Sequence, residues 1–171
     1  KKRERMYLSG EKSTKLIHIM RSIHDGLLVG VGTVIHDNPL LSARQKYYNK
    51  QPIPIILDSQ LITPKTAKVL NRDIKVIFIC SYDISKKKRD ELLKYNKNCE
   101  FIGVSQDKNK QLNLKEAIKI LNKKGILSIM VEGGASVLES FISQDIANQY
   151  VITISPQFVG GLPYLKNKNY N

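Results

Sequence analysis

The residues with the clearest chemical potential lie in the run Val29-Gly30-Val31-Gly32-Thr33-Val34-Ile35-His36-Asp37-Asn38-Pro39. An apolar strand, Leu27 to Val31, is expected to run into two glycines and a threonine. Glycine has no Cβ, so its backbone can approach a ligand closely. A threonine hydroxyl and free N–H groups just past a strand end suit phosphate or ribose oxygens. The same order recurs at Ile129-Met130-Val131-Glu132-Gly133-Gly134-Ala135-Ser136-Val137, where strand, glycines and small residues lead into a helix. Such a junction presents helix N-terminal N–H groups, with their partial positive charge, at the carboxyl edge of a sheet. Open α/β sheets bind ligands at that edge. Two such junctions can surround a phosphate-bearing cofactor, and Ser59, at the end of another strand, offers a third wall. Plain tight turns are the rival explanation of both glycine pairs.

Two carboxylates and two arginines complete the set. Glu132 stands at a strand end beside a glycine pair. There it can accept hydrogen bonds from a substrate's ring N–H or hydroxyl groups, take part in proton transfer, pair with a neighbouring lysine or cap a helix. Asp37, in Asp-Asn-Pro, either bonds its own turn backbone or reaches a ribose. Arg21 and Arg44 are candidate phosphate clamps, because the guanidinium is a planar fork of donors. No metal site is expected. The histidines (His18, His24, His36) are dispersed, and Cys80 and Cys99 match no zinc spacing. Cys80 ends an apolar run and reads as a buried thiol, whereas Cys99 reads as part of a polar turn.

These residues need a scaffold, and the chain has the material for one. Its 171 residues, 42% of them hydrophobic, suit a single domain with a substantial core. No apolar run reaches the roughly 20 residues of a bilayer crossing, and no signal-peptide pattern is present. The expectation is a soluble cytoplasmic protein without membrane partners. The net charge of +13 admits nucleic acid, anionic surfaces or phosphorylated small molecules as partners. Yet the lysine clusters Lys86-Lys87-Lys88-Arg89 and Lys123-Lys124 fall on segments that read as amphipathic helices with solvated faces.

The pattern predicts alternating helices and strands. Leu16, Ile17, Ile19, Met20 and Ile23 give one apolar face to a helix over about residues 11–23. Strands are expected over 27–31, 52–59, 74–80, 100–104, 126–131 and 150–154. Helices are expected over 85–95, 112–123 and 137–142, with Gly125 capping the second of these. Residues 40–44 read as an extended piece, 45–51 and 105–111 as polar loops, and the tail from Gly160 as irregular. The order argues for an α/β fold with a mostly parallel sheet flanked by helices.

Taken together, four blocks resemble one family. His24-Asp25-Gly26-Leu27-Leu28-Val29-Gly30-Val31-Gly32-Thr33-Val34, followed by Asp37-Asn38-Pro39-x-Leu41-x-x-Arg44, is similar to the signature of the pyrimidine reductases of riboflavin biosynthesis. Pro54-Ile55-Ile56-Leu57-Asp58-Ser59, Val131-Glu132-Gly133-Gly134-Ala135 and Ile152-x-Ile154-Ser155-Pro156-Gln157-Phe158-Val159-Gly160-Gly161 follow in the family's order. The resemblance implies a dihydrofolate-reductase-like α/β fold, a homodimer and NADPH as cofactor. It implies that Thr33, Asp37, Ser59, Gly134, Ala135, Ser136 and Val137 bind NADP. It likewise implies that Arg21, Leu41, Arg44 and Glu132 contact the substrate. The reaction implied is reduction of the ribosyl side chain of a pyrimidine ribosylamine 5′-phosphate to a ribityl chain. Residues 1–171 are then one reductase domain lacking the family's N-terminal strand and closing strands. No zinc-deaminase motif (His-x-Glu with Cys-x-x-Cys) accompanies these blocks, which fits a stand-alone reductase or a piece of a longer chain.

The chemistry is coherent. A ribosylamine opens to an imine that accepts hydride at the sugar C1′, and the protein aligns donor and acceptor. The residues do not nominate the acid that protonates the nitrogen. Two rivals stand beside this reading. A pteridine or folate reductase on the same fold is one, and the Glu-Gly-Gly and Asp-Asn-Pro blocks argue against it. A basic nucleic-acid-binding module is the other, and the clustered aromatics of a single-strand binder are missing.

Overall fold

The computed structural model describes residues 10–44 and 50–154. The element order is α1 (Glu11–Ile23), β1 (Gly26–Gly30), α2 (Val31–Asp37), β2 (Ile53–Leu57), β3 (Val76–Ser81), α3 (Lys86–Leu93), β4 (Cys99–Val104), α4 (Leu114–Lys123), β5 (Ile129–Val131) and α5 (Ala135–Ser143). The five strands form one sheet in the order β4-β3-β2-β1-β5, every pair parallel.

Strand alternation builds a core on each face. Leu27, Val29, Ile56, Val76, Phe78 and Cys80 point to one side, where Val34 of α2 and Leu92 of α3 cover them. Leu28, Ile55, Ile77, Ile79 and Ile102 point to the other, under Ala117 and Leu121 of α4 and Val137 and Phe141 of α5. Phe78 and Phe101 stack at 5.5 Å between centroids, tying β3 to β4. Burial on both faces explains why β1 and β3 read as continuous apolar runs. Helix α4 shows the expected spacing, with Leu114, Ala117 and Leu121 buried. Asn113 caps its start by accepting from the Glu116 N–H at 3.1 Å. Gly125 follows its end at φ +82°, the left-handed position that glycine occupies without strain.

The structure corrects several expectations. The chain leaves β1 one residue early, and Val31-Gly32-Thr33 is the first turn of α2, not a strand end and loop. A seven-residue helix is too short to show a helical period. Its only local mark is the Asp-Asn-Pro that stops it, with Asn38 capping at φ +45°. β5 begins at Ile129 rather than at residue 126. The three residues before it serve other ends: Ile126 is buried under α4, while the N–H groups of Leu127 and Ser128 point to the Asp25 carboxylate. Tyr150 to Ile154 is not a strand. It is rich in apolar residues but has no paired neighbour among the described residues, and Ile152 and Ile154 are more than four-fifths exposed. Cys99 opens β4, half-buried rather than in a turn, and burial pushes its thiol up to about 11. Cys80 is fully buried, as expected. Most of the expected 45–51 loop, the Ser155–Gly161 part of the fourth block and the tail from Gly160 lie outside the described residues. Among the described residues no helix is long and apolar enough to cross a membrane. Nor do any three His, Cys, Asp or Glu side chains there form a group that could hold a metal ion.

Asp25 fastens the amino ends of β1 and β5 together. One carboxylate oxygen takes Lys50 Nζ at 2.7 Å, and the other accepts from the Leu127 and Ser128 N–H groups at 2.9 and 3.0 Å. The Lys50 ammonium, aided by those N–H groups and the Ser128 hydroxyl, holds the carboxyl down to about 2. A lowered carboxyl stabilises the fold fully above its ordinary range near pH 4, and that stability is lost as pH falls toward 2. Solvent screening at this partly exposed group keeps the pH-dependent part to about 1 kcal/mol. Asp25→Ala is expected to cost about 2 kcal/mol in denaturant melts at pH 7. The difference from wild type should shrink between pH 4 and 2.

Candidate active site

The sheet reverses direction of growth at β1. Strands β2, β3 and β4 are laid down on one side of it, and β5 returns to the other. Such a switch point opens a crevice beyond the carboxyl ends of the strands. Leu28 stands opposite Val131 and Gly30 opposite Leu57, so the chain leaves β1, β2 and β5 at this same edge. From β1 it enters α2 at once, with Gly30 as N-cap. From β5 it passes through Glu132-Gly133-Gly134 into α5, with Gly134 as N-cap. The Glu132 N–H donates to the Leu28 carbonyl at 2.9 Å and seats this turn against β1. Thr33 and the Ala135–Ser136 pair therefore lie in the first turns of two helices starting side by side, where N–H groups lack intrahelical partners. Ser59 follows β2 at the same edge. It is presented by the buried Asp58, whose carboxylate accepts from the Ile62 and Thr63 N–H groups and the Thr63 hydroxyl at 2.7–2.9 Å.

The glycines divide into two kinds. A Cβ on Gly30 would sit 2.7 Å from Val137 Cγ2, and one on Gly133 would sit 3.1 Å from Val137 Cβ. These two are glycine because α5 packs tightly on β1. Val137 itself is buried in the core, and its N–H already bonds the Gly134 carbonyl at 3.1 Å. A Cβ on Gly32 or Gly134 would meet no atom within 4 Å. Those two leave a bare backbone cradle at the helix starts, the form a phosphate or a flat ring can approach. A nicotinamide dinucleotide fits the chemistry of this edge.

Arg21 reaches this edge from the last turn of α1. Its Nε and Nη2 donate to the two Glu132 oxygens at 2.6 and 2.5 Å, and its Nη1 donates to the Ser42 carbonyl at 3.1 Å. The pair is only 16% and 24% exposed. Glu132 thus pairs with an arginine 111 residues away in sequence. Segment 40–44, the extended piece that carries Leu41 and Arg44, is pinned along its length. Arg72 Nη1 donates to the Leu40 and Leu41 carbonyls at 2.8 and 3.2 Å. Gln51 bonds both backbone groups of Ala43 at 2.8 and 3.0 Å, and the Arg44 N–H donates to His18 Nδ1 at 3.3 Å. Leu41 is buried in the core, with φ +50°. Arg44 is exposed, as is Asp37 at the end of α2.

Sequence reasoning missed His18, Gln51 and Arg72. His18 stands one turn before Arg21 on α1, and that i, i+3 spacing was the one available signal. Gln51 and Arg72 act through backbone carbonyls and N–H groups, which leave no sequence pattern.

A family model described as the RibD C-terminal domain matches residues 1–168. The riboflavin biosynthesis protein RibD of Aquifex aeolicus is 36% identical over 154 residues, 90% of this chain and 41% of the relative. The chain thus spans about two-fifths of such RibD proteins. A second protein of that organism, named 2,5-diamino-6-ribosylamino-4(3H)-pyrimidinone 5′-phosphate reductase, is 33% identical over 159 residues, 93% of this chain and 69% of the relative. Among solved structures, the riboflavin biosynthesis reductase Rib7 of Saccharomyces cerevisiae superposes with a TM-score of 0.65 at 26% identity, over 81% of this chain and 62% of that one. The dihydrofolate-reductase-like α/β fold is the one shared with these reductases.

The Arg21–Glu132 pair bridges α1 and the β5–α5 turn. Glu132→Ala or Arg21→Ala alone is expected to destabilise the fold by about 2 kcal/mol, because each strands a charge with unmet hydrogen bonds. The double variant should lose clearly less than the sum, a coupling that a double-mutant cycle in urea measures.

Proposed function

The chain belongs to the RibD C-terminal domain family, and we propose that it is a pyrimidine reductase of riboflavin biosynthesis. In this reading NADPH reduces the ribosyl side chain of a ribosylamino-pyrimidinone 5′-phosphate to the ribityl form. The observation that carries it is the meeting of two unlike groups at the switch-point edge: the bare starts of α2 and α5, and the Arg21–Glu132–Ser42 group that the β5–α5 turn joins to them.

Thr33, Asp37, Ser59, Gly134, Ala135, Ser136 and Val137 form the proposed cofactor wall, Val137 by shaping the α5 start rather than by direct contact. Cofactor phosphates meet the N–H groups and positive dipole ends there. Arg21, Leu41, Arg44 and Glu132 form the proposed substrate wall. Arg44, with the donors Arg21 has left over, holds the phosphate ester. Glu132, gripped by a guanidinium, serves as a hydrogen-bond acceptor that orients the pyrimidine ring. When bound, the nicotinamide supplies hydride. The protein's own contribution is alignment and exclusion of water, worth several kcal/mol, about 7–11 in ideal cases. One reductase domain and a second copy of the chain as partner complete the proposal. The exposed apolar side chains of Tyr150, Val151, Ile152 and Ile154 support self-association. Sedimentation equilibrium should give twice the mass of the chain.

Mixing the protein with NADPH and 2,5-diamino-6-ribosylamino-4(3H)-pyrimidinone 5′-phosphate is expected to bleach the nicotinamide absorbance. A full-length protein that leaves it unchanged overturns the reading. Glu132→Gln should raise KM for the pyrimidine about tenfold with KM for NADPH unchanged, a loss near 1.4 kcal/mol. Thr33→Val and Gly32→Ala should do the reverse. Gly32→Ala should also melt no lower than wild type, since it replaces a glycine inside α2 with a better helix former.

A further inference from the structure

Segment 40–44 carries Leu41 and Arg44, and each of its residues is held by a side chain from α1, from the residues just before β2 or from the β2–β3 connection. Arg72 holds Leu40 and Leu41, Arg21 holds Ser42, and Gln51 holds Ala43. All four of these residues are held through a carbonyl by cations or an amide that carry their donors at every pH near neutrality. The end of the segment is different. Among the described residues the Arg44 N–H has a single acceptor, His18 Nδ1 at 3.3 Å, and an imidazole nitrogen accepts only while it bears no proton.

We propose that His18 is a positioning residue for substrate binding: its Nδ1 anchors the Arg44 backbone and thereby aims the Arg44 guanidinium at the substrate's phosphate. This rests on the reductase reading for the identity of the substrate. The geometry sets the tautomer, with Nδ1 accepting and the proton on Nε2. The charged groups facing the ring are Arg21 from its own helix, Arg44 from segment 40–44, and Glu132 from the β5–α5 turn. Burial and the two guanidinium groups hold the imidazole below its ordinary range, against the opposing pull of Glu132 and the Ser42 carbonyl. The accepting form is therefore the one present at neutral pH. As pH falls through the lowered value the ring takes a proton, the Arg44 N–H loses its acceptor, and a third positive charge joins the two arginines. Above the ordinary value of 6.5 the anchor is fully in place.

The test compares wild type with His18→Ala and His18→Asn, the asparagine oxygen reaching the position of Nδ1. At pH 7.5 His18→Ala should raise KM for the ribosylamino-pyrimidinone phosphate at least tenfold and leave KM for NADPH within twofold. His18→Asn should recover most of that loss. Between pH 7.5 and 5 the wild-type KM for the pyrimidine should climb more steeply than that of His18→Asn, whose residual climb belongs to the substrate phosphate. Equal pH profiles, or an unchanged KM in His18→Ala, overturn the proposal. Amide hydrogen exchange needs no turnover and separates this idea from the reductase reading. Exchange at the Arg44 N–H should quicken at least tenfold in His18→Ala and stay near wild type in His18→Asn. Unchanged exchange in His18→Ala refutes the anchor even in an active enzyme. Quickened exchange in a protein that does not oxidise NADPH with the pyrimidine leaves the anchor standing and refutes the reductase reading.

Discussion

The candidate site depends on one pairing, that of Gly26–Leu28 with Ile129–Val131. These residues are a hundred positions apart, and β5 is three residues long. Its register is nevertheless tightly specified, because a shift by one would turn Ile129, Met130 and Val131 each to the wrong core. Asp25 locks the amino ends of the two strands, and the Glu132 N–H on the Leu28 carbonyl locks the carboxyl ends. With the register set, α2 and α5 have to start beside each other. Gly30 then has no room for a side chain and Gly133 little, because Val137 occupies the space one would need.

The second determinant is electrostatic. Arg21 spends three donors on Glu132 and the Ser42 carbonyl, so one side chain joins α1, the β1–β2 connection and the β5–α5 turn. Two charges this far withdrawn from water are costly unless their hydrogen bonds are met, and here the fork geometry meets them. The pair adds little net stability of its own. Its effect is to hold a carboxylate at a chosen place and angle, which suits recognition of a ring more than proton transfer. The strain at Leu41, with φ +50° in a non-glycine residue, is tolerated because Arg72 holds both flanking carbonyls and the side chain is buried.

Much of this was legible in the residues alone. Apolar runs of five or six announced the parallel strands, since a strand covered on both faces needs no alternation. The spacing in α4, its Asn cap and Gly125 announced that helix and its end. The blocks around Gly32, Ser59 and Glu132 announced the family, because close backbone approach and a fixed carboxylate demand particular residue types. Only the tertiary structure decided three further matters. It separated glycines required by packing (Gly30, Gly133) from glycines that leave bare backbone (Gly32, Gly134), a distinction that depends on where Val137 lies. It turned Glu132 toward Arg21 and brought His18 to the Arg44 backbone, contacts that span 111 and 26 positions. It also left Tyr150–Ile154 unpaired among the described residues, although these residues have strand character. Local pattern reports what a segment prefers, whereas a strand or an ion pair exists only when a partner from elsewhere in the chain is held alongside it.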